Sequence, residues 1–319
     1  MEMVLVLFLV GLMASATLML TEGVEDQAKY DETKRRMNVI RKAIVGDPTR
    51  TINGGPEISG FVADMGRLPL CIAELLELGD EITPATDPKT YESPCDDSIT
   101  ISAWAIDATV GVGYGWRGSY ISVLPEGDGV LRFRDGYGNS DALGSSMPNF
   151  GWSYAIIADA LGGDETRVDL NSNGFNSTDA TGDISASQLV VKDDWQISSI
   201  TVNFINQNAN SKPDSEVKLI LRIYNSETEY VDGDSVTLAQ DAIPAGGQRQ
   251  ETFNFDGSNG VAIGTRAYAL VCYEEFSDAD DYEVYDGDCV SGNGETSSAN
   301  IRALTIAPRQ SFTVEWITP

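Results

Sequence analysis

Histidine is absent from all 319 residues of this sequence, and cysteine occurs only four times. The redox pattern C-x-x-C and the haem-attachment pattern C-x-x-C-H are both missing. Without histidine, the Ser-His and Cys-His pairs that activate most nucleophiles are excluded, and there is no recognisable phosphate-binding glycine loop. A pair of carboxylates of the glycosidase type is the one catalytic arrangement left open. We therefore expect a protein that is not an enzyme.

Positive charge is scarce as well, because 21 Lys and Arg stand against 49 Asp and Glu, a formal net charge of -28. The first 50 residues are balanced, with seven basic and seven acidic side chains, so the whole excess lies in residues 51–319. An acidic surface repels nucleic acid. No nucleic-acid partner is expected.

The chain opens with an apolar stretch, residues 3–20, that carries no charge and follows a single acid, Glu2. At a helical rise of about 1.5 Å per residue it spans roughly 27 Å, close to the thickness of a bilayer's hydrocarbon core. No Lys or Arg precedes Lys29, which disfavours a secretory signal peptide. The stretch predicts either an ordinary membrane anchor or a helix that moves from a membrane into a protein assembly.

Residues 1–14, MEMVLVLFLVGLMA, resemble the amino-terminal helix of mature type IV pilins and type II secretion pseudopilins. The spacing of nine residues from Glu2 to Gly11 matches that family. The resemblance implies that both residues serve assembly, with Glu2 neutralising the terminal amine of a neighbouring subunit in a filament core. A carboxylate at the membrane edge is the alternative for Glu2. The family's first mature residues and its leader do not precede Glu2, so we expect a trimmed mature form.

Residues 21–45 continue in a helical pattern, and Gly46 with Pro48 predicts the end of the helix. One long N-terminal helix is therefore expected within residues 1–46. A cluster of basic residues lies between the apolar stretch and the acidic remainder of the chain, and these residues either pair with acids of adjacent subunits or form a solvated helix face. The cluster comprises Lys29, Lys34, Arg35, Arg36, Arg41, Lys42 and Arg50.

Further motifs in residues 47–183 extend the resemblance. The segments GYGWRGSYI at 113–121 and DGYGN at 135–139 look like those that join helix to sheet in pseudopilin-like proteins. Residues 70–78 are expected to form a short amphipathic helix and residues 152–157 a strand. The resemblance thus covers residues 1–183 and implies a pilin fold, in which the long helix packs on a small antiparallel sheet.

The remainder, residues 184–319, alternates short β-rich runs with polar turns. Eight runs are predicted as strands, at residues 188–192, 198–205, 216–224, 235–238, 250–255, 266–273, 300–306 and 311–317. They predict an all-β sandwich with a core of its own. The expected fold class is α+β, a pilin fold plus a C-terminal β-sandwich, with domains 1–46, 47–183 and 184–319.

The cysteines sort by these domains. Cys71 and Cys95 fall in the pilin-like part, whereas Cys272 and Cys289 fall in the sandwich. Of the three possible connectivities we therefore favour Cys71 with Cys95 and Cys272 with Cys289. The alternative is four free thiols, which are uncommon in exported proteins because the environment outside the cytoplasm is oxidising.

Residues 169–174, DLNSNG, have the D-x-N-x-N-G opening of a calcium loop. Position twelve of such a loop would be Ala180 instead of Glu, so this is not an EF-hand. Major pseudopilins place calcium after the sheet, which supports Ca²⁺ here by resemblance, while an ordinary Asn/Gly turn is the other interpretation. The candidate ligands are Asp169, Asn171, Asn173, Asp179 and Asp183.

By resemblance, the function expected is that of a structural, major subunit of an extracellular type IV pilus-like filament on a prokaryotic cell surface. Such a subunit is anchored in the inner membrane before assembly, and its partners are other copies of itself, the pilus assembly machinery and a prepilin peptidase. The alternative is a minor pilin, tip adhesin or secretion pseudopilin whose sandwich binds a surface or glycan. An electron-carrying filament ranks last, because only Phe8 and Tyr30 are aromatic before Phe61.

Overall fold

The structure is a computed structural model, and it describes most of the chain. The described residues are 2–47, 49–52, 55–56, 58–82, 88–142, 147–158, 165–175, 183–226, 228–255, 260–273, 284–289 and 301–318. The predicted calcium ligand Asp179 lies outside these residues. Residues 46–318, where described, are called the body below.

A helix of 44 residues, α1 (Glu2–Val45), forms the first element. It ends where the sequence predicts, because Gly46 adopts a left-handed φ of 80° and donates its N–H to the Lys42 carbonyl oxygen. Among the described side chains of α1, burial begins at Thr33 and includes Met37 and Ile40. The body therefore holds α1 by its C-terminal part.

Short helices and many short strands follow α1 in the described part of the chain. The helices are α2 (Phe61–Met65), a 3-10 helix (Ile72–Leu75) and α3 (Lys192–Trp195). The strands are β1 (Thr51–Ile52), β2 (Gly55–Pro56), β3 (Thr90–Glu92), β4 (Thr100–Ser102), β5 (Ala105–Ile106), β6 (Gly113–Tyr114), β7 (Trp152–Ala158), β8 (Glu165–Ser172), β9 (Ile184–Val190), β10 (Gln196–Ile197), β11 (Ser199–Asn206), β12 (Val217–Tyr224), β13 (Tyr230–Asp232), β14 (Val236–Leu238), β15 (Gln248–Asn254), β16 (Val261–Ala262), β17 (Gly264–Cys272), β18 (Arg302–Ile306) and β19 (Phe312–Thr318).

The end of α1 packs on a three-stranded antiparallel sheet with the order β7-β8-β9. Alternate residues of β8, Val168 and Leu170, are buried, as expected for a strand with one face against the core. The Lys34 ammonium donates a hydrogen bond to the Ser185 carbonyl oxygen of β9 at 3.0 Å. Such contacts hold the C-terminal part of α1 against β9, at the edge of the sheet.

Two larger sheets lie in the C-terminal part. One has the order β15-β11-β19, in which β11 pairs antiparallel with β15 and parallel with β19, so that Val202 lies beside Val314. The other has the order β13-β12-β17-β18, with β14 also pairing with β12. Ring contacts such as that between Tyr268 of β17 and Trp316 of β19 connect the two sheets.

The buried apolar side chains form one continuous core that extends from Met37 to Trp316. Strand β17 contacts α2 directly, so the C-terminal strands and the earlier elements share this core. The second, separate core predicted for residues 184–319 is not found among the described residues. The domain boundaries at 46/47 and 183/184 stay predictions.

The predicted fold class is wrong. Among the described residues, the strands hold more of the chain than the helices do, so this part of the protein is mainly β. Only the C-terminal part of α1 is buried, at the edge of the sheet β7-β8-β9, so the expected long helix packed on a small sheet beside a separate sandwich is not what the described residues form. Periodicity identifies strands one at a time, whereas their partners are chosen by packing between distant segments, as the β11 and β19 pair illustrates.

Candidate functional site

The first part of α1 exposes a row of apolar side chains. Eight of them are described, and each is between 51% and 84% exposed: Met3, Val4, Val6, Leu7, Phe8, Val10, Leu12 and Met13. We call these eight residues the apolar helix surface. Contiguous exposed apolar surface of this extent marks an interaction site in soluble proteins.

The two residues assigned to assembly by the sequence, Glu2 and Gly11, both belong to α1. Gly11 is exposed within the apolar helix surface, and a Cβ atom added there would meet nothing within 4 Å apart from its chain neighbours and the adjacent helix backbone. Glu2 begins the helix, but its side chain lies outside what the structure describes. Among the described residues, none of the helices combines the length and the apolar character needed to cross a membrane.

A tight turn at residues 135–139 fixes the body to α1. The buried Asp135 carboxylate accepts hydrogen bonds from the N–H groups of Tyr137 and Asn139, which closes the turn. The Gly136 N–H donates to the Thr33 hydroxyl oxygen of α1 at 3.0 Å. Because the Gly136 backbone lies directly against α1, only a residue without a Cβ fits there.

Arg36 of α1 reinforces this contact. Its guanidinium donates to the Glu32 carboxylate at 2.6 Å and to the Arg134 carbonyl oxygen at 2.7 Å. Hydrogen bonds from Arg35 and Arg36 lower the pKa of Glu32 to about 2. Glu32 is therefore ionised at neutral pH and orients Arg36 toward the turn.

The basic cluster of residues 29–50 has partners inside the chain. The partners are Glu25 for Lys29, the Ser185 carbonyl for Lys34, Glu32 for Arg35 and Arg36, Asp194 for Arg41, and Asp47 for Lys42. Arg50 has a partner as well. Pairing within the chain is neither of the two predicted arrangements, intersubunit pairs or a solvated face. The available signal was the spacing of four residues from Glu25 to Lys29 and from Glu32 to Arg36.

Both cysteine pairs in the structure are the pairs that the sequence favours. Cys71 is joined to Cys95 and Cys272 to Cys289, with a Cα–Cα distance of 5.8 Å in each case. The first bridge closes a loop around the 3-10 helix, and the second ties the end of β17 to the segment before β18. Each restrains a loop-rich part of the body.

The residues of the predicted calcium loop lie mostly in an extended conformation. Asp169 belongs to β8, and its carboxylate accepts the Gln188 N–H at 2.7 Å and lies 3.3 Å from the Arg167 guanidinium. Asn171 belongs to the same strand, whereas Asn173 and Asp183 lie outside the strands. Among the residues that the structure describes, no three His, Cys, Asp or Glu side chains are grouped to hold a metal ion. A Ca²⁺ site here stays a prediction.

Comparison of the chain with protein-family models, with curated proteins and with solved structures finds no match. The resemblance to pilins is therefore carried by the residues quoted above.

Proposed function

We propose that this protein is a structural, major subunit of an extracellular type IV pilus-like filament, and that it polymerises through α1. The observation that carries the proposal is the apolar helix surface. Each Å² of apolar area removed from water stabilises an assembly by roughly 25 cal/mol, so packing such surfaces from several copies together is strongly favoured.

The way in which the body holds α1 supports this role. Contacts with the turn at residues 135–139 reach α1 at Asp26, through the Tyr137 hydroxyl, and at Thr33. The apolar helix surface lies N-terminal to these contacts, so helices of neighbouring copies can approach it without displacing the body. A long helix held at one end by its own body is suited to a shared helical core.

The charge distribution and the disulfides are consistent with a body on the outside of a filament. The excess of acidic residues lies in residues 51–319, which keeps the bodies hydrated and soluble. The two disulfides suit an oxidising, extracellular environment. Storage in the inner membrane, the assembly machinery, a prepilin peptidase and the Glu2 charge pair are implied by resemblance alone and stay predictions.

A matched pair of substitutions tests the proposal. Leu7 belongs to the apolar helix surface and is 72% exposed, whereas Leu124 lies on the body and is 89% exposed. Leu7→Arg places a charge in the proposed filament core, where desolvation is costly, and is expected to abolish polymerisation. Leu124→Arg makes the same chemical change elsewhere and is expected to leave polymerisation intact. Sedimentation and negative-stain electron microscopy measure both.

Thermal unfolding verifies that the body is folded in both variants. Both are expected to unfold at the wild-type temperature, because both side chains are exposed. Normal filaments from Leu7→Arg would overturn assembly through α1. In the same assay, Glu2→Ala is expected to reduce polymerisation strongly while the body stays folded.

A further inference from the structure

One carboxylate holds two arginines that are far apart in the sequence. Asp194 of α3 is buried, and its Oδ2 accepts a hydrogen bond from Arg41 of α1 at 3.0 Å. Its Oδ1 accepts two hydrogen bonds from Arg309, at 3.0 and 2.7 Å. Arg309 lies in the turn between β18 and β19, so the end of α1 and the end of the chain meet at this carboxylate.

Arg41 and Arg309 line a cavity of about 330 Å³. Val45 and Pro308 form apolar walls, and Asp194 lies at one side. In the described part of the chain, Asp194 is the one carboxylate paired with either arginine, so the three groups together carry a net positive charge. Each guanidinium has five N–H donors. Arg41 donates one hydrogen bond to Asp194, and Arg309 donates two.

The backbone at Arg309 indicates that this arrangement is imposed. Its φ is 58°, in the left-handed region that non-glycine residues seldom occupy. The neighbouring cation on α1, Lys42, is already paired with Asp47 at 2.7 Å. Strained residues persist where the surrounding structure holds them, and here the guanidinium of the strained residue is held on Asp194 beside the cavity.

We propose that this cavity binds a carboxylate group through the remaining N–H donors of Arg41 and Arg309. The planar fork of a guanidinium matches the two oxygens of a carboxylate, and the pair is a charge-assisted hydrogen bond. Val45 and Pro308 contact the methylene groups that carry the carboxylate. Two sources supply this chemistry: a free carboxylic acid, and an Asp or Glu side chain of another copy of the chain.

Titration of the full chain with sodium glutarate tests the proposal. The protein is kept in an uncharged detergent, sodium chloride holds the ionic strength constant, and the NMR signals of the arginine Nε–H groups are followed. We expect saturable shifts for Arg41 and Arg309. Arg249, which is also exposed and pairs with Glu251 at 2.6 Å, is the internal control and is expected not to shift.

Two variants sharpen the test. Arg309→Ala is expected to weaken glutarate binding about tenfold, because it removes a charged hydrogen-bond donor. Arg249→Ala is expected to leave glutarate binding unchanged. Thermal unfolding of both variants verifies that the body is folded, as expected for exposed side chains.

Sedimentation in the same detergent at low salt distinguishes the two sources. If the carboxylate comes from another copy, Arg309→Ala and added glutarate both weaken self-association of the chain. If it comes from a free acid, glutarate binds but self-association is the same for Arg309→Ala and the wild type. Absence of saturable shifts, together with identical self-association, overturns the proposal. None of these outcomes depends on whether the chain forms filaments.

Discussion

Arg266 of β17 donates hydrogen bonds to the carbonyl oxygens of Ala63 and Val62 in α2, at 2.9 and 3.2 Å, across 203 and 204 residues of sequence. The last carbonyl groups of a helix have no partner within the helix. Arg266 is fully buried, and it supplies a partner for the Ala63 carbonyl and a second one for the Val62 carbonyl, which also accepts the Gly66 N–H at 2.9 Å. Burial lowers the pKa of Arg266 to about 10, so the group is still charged at neutral pH.

Replacing this side chain is expected to destabilise the whole body. Arg266→Met keeps an apolar stem of similar length but leaves the carbonyl oxygens of Val62, Ala63 and Ile263 buried without this donor. The free energy of unfolding is expected to fall by about 3 kcal/mol in urea denaturation. Arg249→Met, at an exposed arginine, is the control and is expected to change it by less than about 0.5 kcal/mol. Equal losses would contradict the role given to Arg266.

Gly136→Ala tests the contact between the turn and α1. A Cβ atom at Gly136 would collide with the Lys29 carbonyl oxygen and would lie 2.8 Å from the Thr33 hydroxyl oxygen. The collision is expected to lower the free energy of unfolding by about 2 kcal/mol. Gly127→Ala is the matched control, because a Cβ atom there meets nothing within 4 Å. Thermal unfolding measures both variants, and a similar melting temperature for the two would contradict the close contact between the turn and α1.

Asp64 in α2 gives a prediction that depends on pH. Burial raises the pKa of Asp64, although Arg117 at 3.5 Å and the Tyr120 hydroxyl at 3.1 Å act in the opposite direction. The folded state therefore binds this proton more tightly than the unfolded state, whose pKa is about 3.9. The resulting stabilisation is complete below that value and is lost as the pH rises through the folded pKa.

At pH 7 the buried charge of Asp64 thus opposes folding. Asp64→Asn removes the charge and is expected to raise the melting temperature at pH 7, while changing it little at pH 3. Melting curves of the variant and the wild type at the two pH values measure the difference. A variant that is less stable than the wild type at pH 7, and equal to it at pH 3, would reverse the expected sign.

The Cys272–Cys289 bridge closes a segment of 17 residues. Replacing both cysteines by alanine is expected to lower the free energy of unfolding by about 3 kcal/mol, because the unfolded chain gains the freedom that the bridge removes. Urea denaturation without reductant measures this loss. Peptide mapping of the wild type is expected to find Cys71 linked to Cys95; a peptide joining Cys71 to Cys272 would contradict the pairing.

Local features of the fold were predictable from the sequence. The strand predicted at residues 198–205 is β11, and the strand predicted at 216–224 is β12, because β-branched and apolar residues mark them locally. The helix end at Gly46 was predictable from its glycine and Pro48. The parallel pairing of β11 with β19 was not, because no local pattern specifies a partner more than a hundred residues away.

The same division applies to the candidate site. The apolar residues of α1 and the turn at residues 135–139 could be predicted from the sequence. The packing of that turn on α1 could not, because the hydrogen bond from Gly136 to Thr33 spans 103 residues. The same holds for the cavity between Arg41 and Arg309, whose two cations are brought together only by the buried carboxylate of Asp194.

Electron cryomicroscopy of filaments sheared from cells that produce this chain tests the central claim most directly. The proposal predicts a helical polymer of this chain alone, in which the apolar helix surfaces of neighbouring copies, including Leu7 and Phe8, pack together in the core and the acidic bodies face outward. A filament built from another protein, with this chain confined to its tip, would contradict the claim, and so would a chain found only as separate molecules.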